Sequence, residues 1–274
     1  MAPDSAYYDE QDRLLRYGND TFGATYDWSA AGELSQRIRP DQRLTTTYDA
    51  LGNLTAATLR PLVNGSEQSG VSTTTTVVYR IDGQNRRVER VVSGPNGERT
   101  QRWLYRDGLA PVAELDSVNA VVNRYVYGTQ DHAPDLVVRA EGTYRVITDH
   151  LGSIRALVNI ATGAVAQRID YDAWGNETQN TAPELQSLGY AGGLTDAETK
   201  LVRFGARDYD PGVGRWTAKD PILDMGEGMG LYAYSDGLPI DLNDPSGLST
   251  DLLADFLECA EEVLGLRSLL DLLG

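Results

Sequence analysis

The sequence predicts an all-β protein, built as a strip of short antiparallel hairpins. Three observations carry this. Tyr-Asp pairs with a following Gly recur at Tyr8-Asp9, Tyr26-Asp27 (with Gly32 and Leu34), Tyr48-Asp49 (with Gly52, Asn53 and Leu54) and Tyr171-Asp172 (with Gly175 and Asn176). Between them lie alternating stretches such as LTTTYDA, TTTTVVYR and NRYVYG, whose period of two is that of a half-buried strand. Tyrosine, at 15, far outnumbers phenylalanine, at 3, beside 28 glycines, a balance suited to pleated surfaces broken by tight turns.

In each unit the Tyr closes a strand, the Asp side chain caps the turn, and Gly takes the positive φ that the turn requires. Degenerate copies stand at Tyr79-Arg80-Ile81-Asp82-Gly83 and Asp149-His150-Leu151-Gly152. The spacing of about twenty residues fits a strand, a turn and a returning strand. One hairpin buries too little to be stable, so neighbours must join a continuous sheet. From 73 to 165 the chain reads as successive strands, with hairpin turns at Gly94-Pro95-Asn96-Gly97 and Arg106-Asp107-Gly108. Residues 178 to 199 read as a non-repeat connection. The tail, 251 to 273, differs: Leu252, Leu253, Phe256, Leu257, Ala260, Val263 and Leu264 recur at helical spacing. Asp251, Asp255, Glu258, Glu261 and Glu262 fill the other face, with Ser249 and Thr250 as N-cap side chains.

Composition removes several classes of function. A net charge of −16 argues against nucleic-acid binding, which needs clustered Lys and Arg. One cysteine, Cys259, and two histidines, His132 and His150, leave no disulfide framework and no Cys/His metal centre, so no metal or cofactor is expected. No apolar run approaches the roughly 20 residues of a membrane span. The N-terminus lacks the basic and apolar regions of a secretory signal. Starting directly in a Tyr-Asp unit, the chain reads as the C-terminal piece of something longer.

The densest stretch runs from 207 to 248, RDYDPGVGRWTAKDPILDMGEGMGLYAYSDGLPIDLNDPSGL, with Asp-Pro pairs at 210, 220 and 244. Together with the Tyr-Asp units it resembles the Rhs/YD-repeat family and its C-terminal Rhs repeat-associated core domain. Arg207, Tyr209, Asp210, Pro211, Gly214, Arg215, Trp216, Asp220, Pro221, Leu231, Tyr232, Tyr234, Pro239, Asp244, Pro245, Gly247 and Leu248 all match that core's pattern. The segment ILDMGEGMG departs from it, with Leu223, Asp224 and Glu227 in a glycine-rich position, and Gly237-Leu238-Pro239 replaces an Asn-Pro.

The resemblance implies a β-strip curling into a spiral shell: a strip over 1–177, a core over 178–248, and a helical tail over 249–274 as remnant or short cargo. In this family the core is an aspartyl autoprotease that releases a C-terminal toxin. Carried over, the cut falls between Leu248 and Ser249, with Asp220 and Asp244 as the carboxyl pair and Arg207 as their supporting charge. The implied partners are the chain's own C-terminal segment as cargo and upstream shell or secretion-system proteins. Secretion, or delivery by a secretion system, is the implied location.

The chemistry is coherent. Of two carboxyls a few ångströms apart, one can act as base on a water while its protonated partner polarises the carbonyl. An arginine orients such a pair, and proximity replaces substrate binding. Against this stands an ordinary reading, since Asp-Pro and Asp-x-x-Gly are common turn signals. Asp208, Asp210, Asp224, Asp236 and Asp241 read as turn or surface groups, and the tryptophans as packing. His150 reads as structural, and His132 as a loop residue without an evident partner. The alternative is a non-catalytic β-shell fragment with a docked tail helix.

Overall fold

The computed structural model describes residues 5–19, 23–63, 65–67, 73–106, 109–221 and 230–248. The tail helix expected over 251–273 and the Arg106-Asp107-Gly108 turn fall wholly or partly outside them. Within them the protein is antiparallel β with two single 3₁₀ turns, Tyr190–Gly192 and Ser235–Gly237.

A strip from Ser5–Tyr8 to Glu177–Asn180 forms a meander in which successive strands pair in chain order, apart from the two-residue Ser66–Glu67 side hairpin. Alternation sets its two faces: in Thr75–Ile81, Val77 and Tyr79 are buried while Val78 is exposed. In Gly142–Thr148, Tyr144 and Val146 point in while Ile147 points out. The Gly94-to-Gly97 hairpin is present in the expected register, with Gly97 at φ +95°.

The turns share one construction. At Asp49, Oδ1 accepts the N–H groups of Leu51 and Asn53, and the backbone carbonyl accepts that of Gly52, at φ +81°. The same pattern recurs at Asp9, Asp82, Asp116, Asp149 and Asp172. The second unit corrects the sequence reading. Tyr26-Asp27 lies inside the strand Ala24–Trp28, and the cap is Ser29, whose Oγ accepts the N–H groups of Ala31 and Glu33. Trp28-Ser29 therefore takes the Tyr-Asp place, in step with Gly32 and Leu34.

In an antiparallel meander, turns separated by an even number of strands lie on the same rim. Six of these turns, capped by Asp9, Ser29, Asp49, Asp82, Asp149 and Asp172, share one rim, and the chain after Asn180 touches all of them. Arg215 donates to Asp12 at 2.6 Å and the Tyr232 hydroxyl to the Gly32 carbonyl at 2.7 Å. Ala218 lies against Gly52. Arg203 donates to Asn53 and to the Asn85 carbonyl, Asn243 donates to the Leu151 carbonyl, and the Pro211 carbonyl accepts from Asn176. Neighbouring residues thus reach opposite ends of the strip: Arg215 binds the first turn while Gly214 lies against Trp174 in the last. The strip therefore curls around this inner segment as a shell.

The inner segment carries its own sheet, Leu194–Thr195, Val202–Phe204, Arg207–Asp210 and Arg215–Trp216. Tyr190, Phe204, Tyr209, Trp216 and Tyr234 form its aromatic core, with Tyr209 and Tyr234 4.3 Å apart. Buried ion pairs fix it to the shell: Arg37–Asp210 at 2.5 Å, Arg87–Asp208 at 2.8 Å and Arg90–Asp196 at 2.8 Å. Asp208 and Asp210 are thus buried rather than at the surface, though Asp210 is the turn group expected. Asp210 also caps its own turn through Gly212. Asp236 and Asp241 are exposed, as expected, and Asp224 lies outside the described residues. Broken on one side only, such a pair leaves an uncompensated charge, so these contacts specify one seating of the inner segment.

Candidate functional site

Arg207 opens the strand Arg207–Asp210, and its guanidinium lies 4.2 Å over the Trp216 ring on the neighbouring strand. Cation–π contact on one side and burial on all sides hold it in one orientation. Burial pulls its pKa down from the usual arginine value, an effect that Asp220 and Asp244 partly offset.

The two aspartates converge on one nitrogen. Arg207 Nη2 is 2.8 Å from Asp220 Oδ2 and 3.3 Å from Asp244 Oδ2, so these oxygens lie within about 6 Å of each other. Asp220 follows the strand Arg215–Trp216, and its N–H bonds the Leu231 carbonyl at 3.1 Å. Asp244, 2 % exposed, heads the last described loop.

That loop is tied down at every step. Asp244 Oδ1 accepts the Ser246 hydroxyl at 2.9 Å and the Leu248 N–H at 3.1 Å. Arg207 Nε donates to the Gly247 carbonyl, and the Ala206 N–H donates to the Ser246 carbonyl. Gly247 sits at φ +67°, where a Cβ would meet the Phe204 carbonyl oxygen at 2.3 Å. Gly205 faces it from the other side with the same demand: its Cβ would lie 2.2 Å from the Ser246 carbonyl oxygen. Both positions need glycine because two backbones touch there.

The structure thus brings Arg207, Asp220, Asp244 and Leu248 together, while Ser249 lies outside the described residues. Two participants escaped the sequence reading. Trp216 reads from the sequence as packing, though Tyr209 pairs with it across the strands, and Arg207 lies two residues from Tyr209 on the same face. Ser246 gives no signal in the sequence. His132 has partners after all: its Nε2 lies 3.2 Å from the Leu151 carbonyl and 3.3 Å from Asn243 Nδ2, beside Asp244. His150 contacts the Ile240 carbonyl at 2.7 Å, the structural place expected of it.

Beneath the loop is a cavity of about 540 Å³, bounded by Pro245 and Ser246 on one side and by Arg86, Arg87, Leu109 and Phe204 on others.

Comparison with known proteins places the architecture. The family model of the teneurin YD-shell matches residues 2–229. The chain belongs to the YD-shell family. The tRNA nuclease WapA of Bacillus subtilis is 31% identical over 215 residues, which is 76% of this chain and 8% of that protein. Mouse teneurin-4 is 31% identical over 220 residues, 79% of this chain and 7% of that protein. A Photorhabdus luminescens Tc holotoxin pore structure with a mutated TccC3 superposes at a TM-score of 0.51 and 17% identity, covering 89% of this chain and 16% of that one. The Rhs/YD resemblance is therefore shown, and with it the all-β shell. The chain spans less than a tenth of the length of these curated YD-shell relatives.

Proposed function

We propose that this YD-shell chain is an Rhs repeat-associated core module that encloses a C-terminal segment and cuts itself once after Leu248. The observation that carries the reading is the convergence of Asp220 and Asp244 on one buried nitrogen of Arg207, with Asp244 also holding the Leu248 amide. In this scheme one carboxylate removes a proton from water, and the hydroxide adds to the Leu248 carbonyl. The other carboxyl donates its proton to the carbonyl oxygen. Collapse expels the Ser249 amine, which takes up a proton, leaving a Leu248 carboxylate. Arg207 is a positioning residue that orients both acids, and no cofactor enters. Residues 1–177 act as strip, 178–248 as core and 249–274 as cargo or its remnant. The likeness to a Tc holotoxin component supports a toxin-associated setting; shell or secretion-system proteins as partners, and secretion or delivery by a secretion system as the route, belong to the same proposal.

Intact-mass measurement of purified protein tests this. The expected products end at Leu248 and begin at Ser249, and Asp220→Asn and Asp244→Asn each leave the chain whole. Fragments split between Asp244 and Pro245 would instead mark acid lability of the Asp-Pro bond. Normal processing in both variants would end the reading.

A further inference from the structure

The cavity beneath the loop carries an inference of its own. Its floor holds more positive than negative charge: Arg87 and Arg203 share a single acid, Asp208, at 2.8 and 3.0 Å. Arg86, also on the wall, is paired with Asp82, and Asp131 faces the cavity from the exposed side, where solvent screens it. Leu109 and Phe204 supply apolar wall. In a chain of net charge −16, a buried cationic floor with apolar sides is a distinct local environment. It lies where the chain leaves the site, because Ser246 is itself on the wall. Asp251 follows five residues later, a reach of up to about 17 Å extended. The sequence from Asp251 to Leu264 alternates acids and leucines at helical spacing, the complement of this wall in charge and in polarity.

We propose that this cavity is the docking site of the chain's own segment 251–264, its carboxylates turned to the arginine floor and its leucines to Leu109 and Phe204. The contact stands whether or not the Leu248–Ser249 bond is cut, and after a cut it retains the peptide.

Cys259, the single thiol, reports on it. Its reaction with Ellman's reagent is followed in the wild-type chain and in Asp220→Asn, with urea-unfolded protein as reference and mass spectrometry reading the cut separately. Docking slows the reaction at least tenfold in both proteins. Ala110→Glu, which adds a carboxylate to the cavity wall, and the double change Asp251→Asn/Asp255→Asn each restore most of the reactivity without changing the cut. Native protein that reacts as fast as unfolded protein overturns the proposal. So does protection that neither variant relieves, or protection lost on dilution, which would assign the cover to a second copy. If Ala110→Glu fails to fold by circular dichroism, the tail variant alone decides, since it leaves the shell untouched.

Discussion

Gly247→Ala probes the loop with one methyl group. At φ +67° an L-residue other than glycine costs about 1–2 kcal/mol from backbone sterics alone. The new Cβ would also lie 2.3 Å from the Phe204 carbonyl oxygen and 2.9 Å from the Arg207 nitrogen. Both are backbone atoms of paired strands and yield little, so the loop must withdraw by about 1 Å to reach ordinary contact. In the proposed scheme that withdrawal carries Leu248 away from the Asp244 carboxyl that holds its amide, and a misplacement of about 1 Å costs roughly 10²-fold in rate. The shell's own contacts are untouched, so thermal stability should fall by only a few degrees. The assay follows appearance of the Ser249-to-Gly274 peptide by mass spectrometry during refolding. A variant that cuts at the wild-type rate would refute the reasoning that this glycine seats the scissile bond.

Three further outcomes follow from the shell. Asp208→Asn leaves Arg87 and Arg203 buried together without their acid and should cost about 3–5 kcal/mol in urea unfolding. Asp196, beside Arg90 and fully buried, has its pKa lowered from 3.8 to about 2; burial itself opposes the shift, and Arg90 with its hydrogen bonds outweighs it. A depressed carboxyl stabilises the fold above its unfolded pKa and loses that contribution as pH falls through the folded value. Asp196→Asn should therefore cost about 2 kcal/mol at neutral pH, with the gap from wild type closing between pH 3.8 and 2 in acid titration. Ser29→Ala should cost about 1 kcal/mol by thermal melting, whereas exposed Asp27→Ala should stay within about 0.5 kcal/mol.

That last pair marks where the sequence could and could not be read. Strands from Thr75–Ile81 to Ile154–Asn159 were legible because alternation and turn chemistry are local, and each lies where its pattern put it. Trp28-Ser29 was not, because Tyr26-Asp27 offers the same letters two residues early and only Gly32 and Leu34 reveal the register. Asp208 and Asp210 read as turn or surface acids because their shell partners, Arg87 and Arg37, lie more than a hundred positions away. No window of sequence contains an ion pair of that span. Arg207, Asp220 and Asp244 were named through family resemblance; their meeting at one nitrogen depends on two strands and a loop that no local pattern joins.

The rim contacts also impose a schedule on the growing chain. Arg215 meets Asp12 and Tyr232 meets Gly32 across 203 and 200 positions, whereas each hairpin of the strip closes within a few residues of its turn. Local pairs form in microseconds, while contacts of such separation wait on a large entropic search. Ribosome exit delivers Arg215 only after every strand of the strip has been made. Until then the apolar concave surface stands open to chaperones and to misassembly. The clasp arrives last, and the loop proposed to be cut, fastened to that clasp through Arg207 and Gly205, is complete only when the clasp has closed. Cleavage in such a chain would serve as its own certificate that folding had finished.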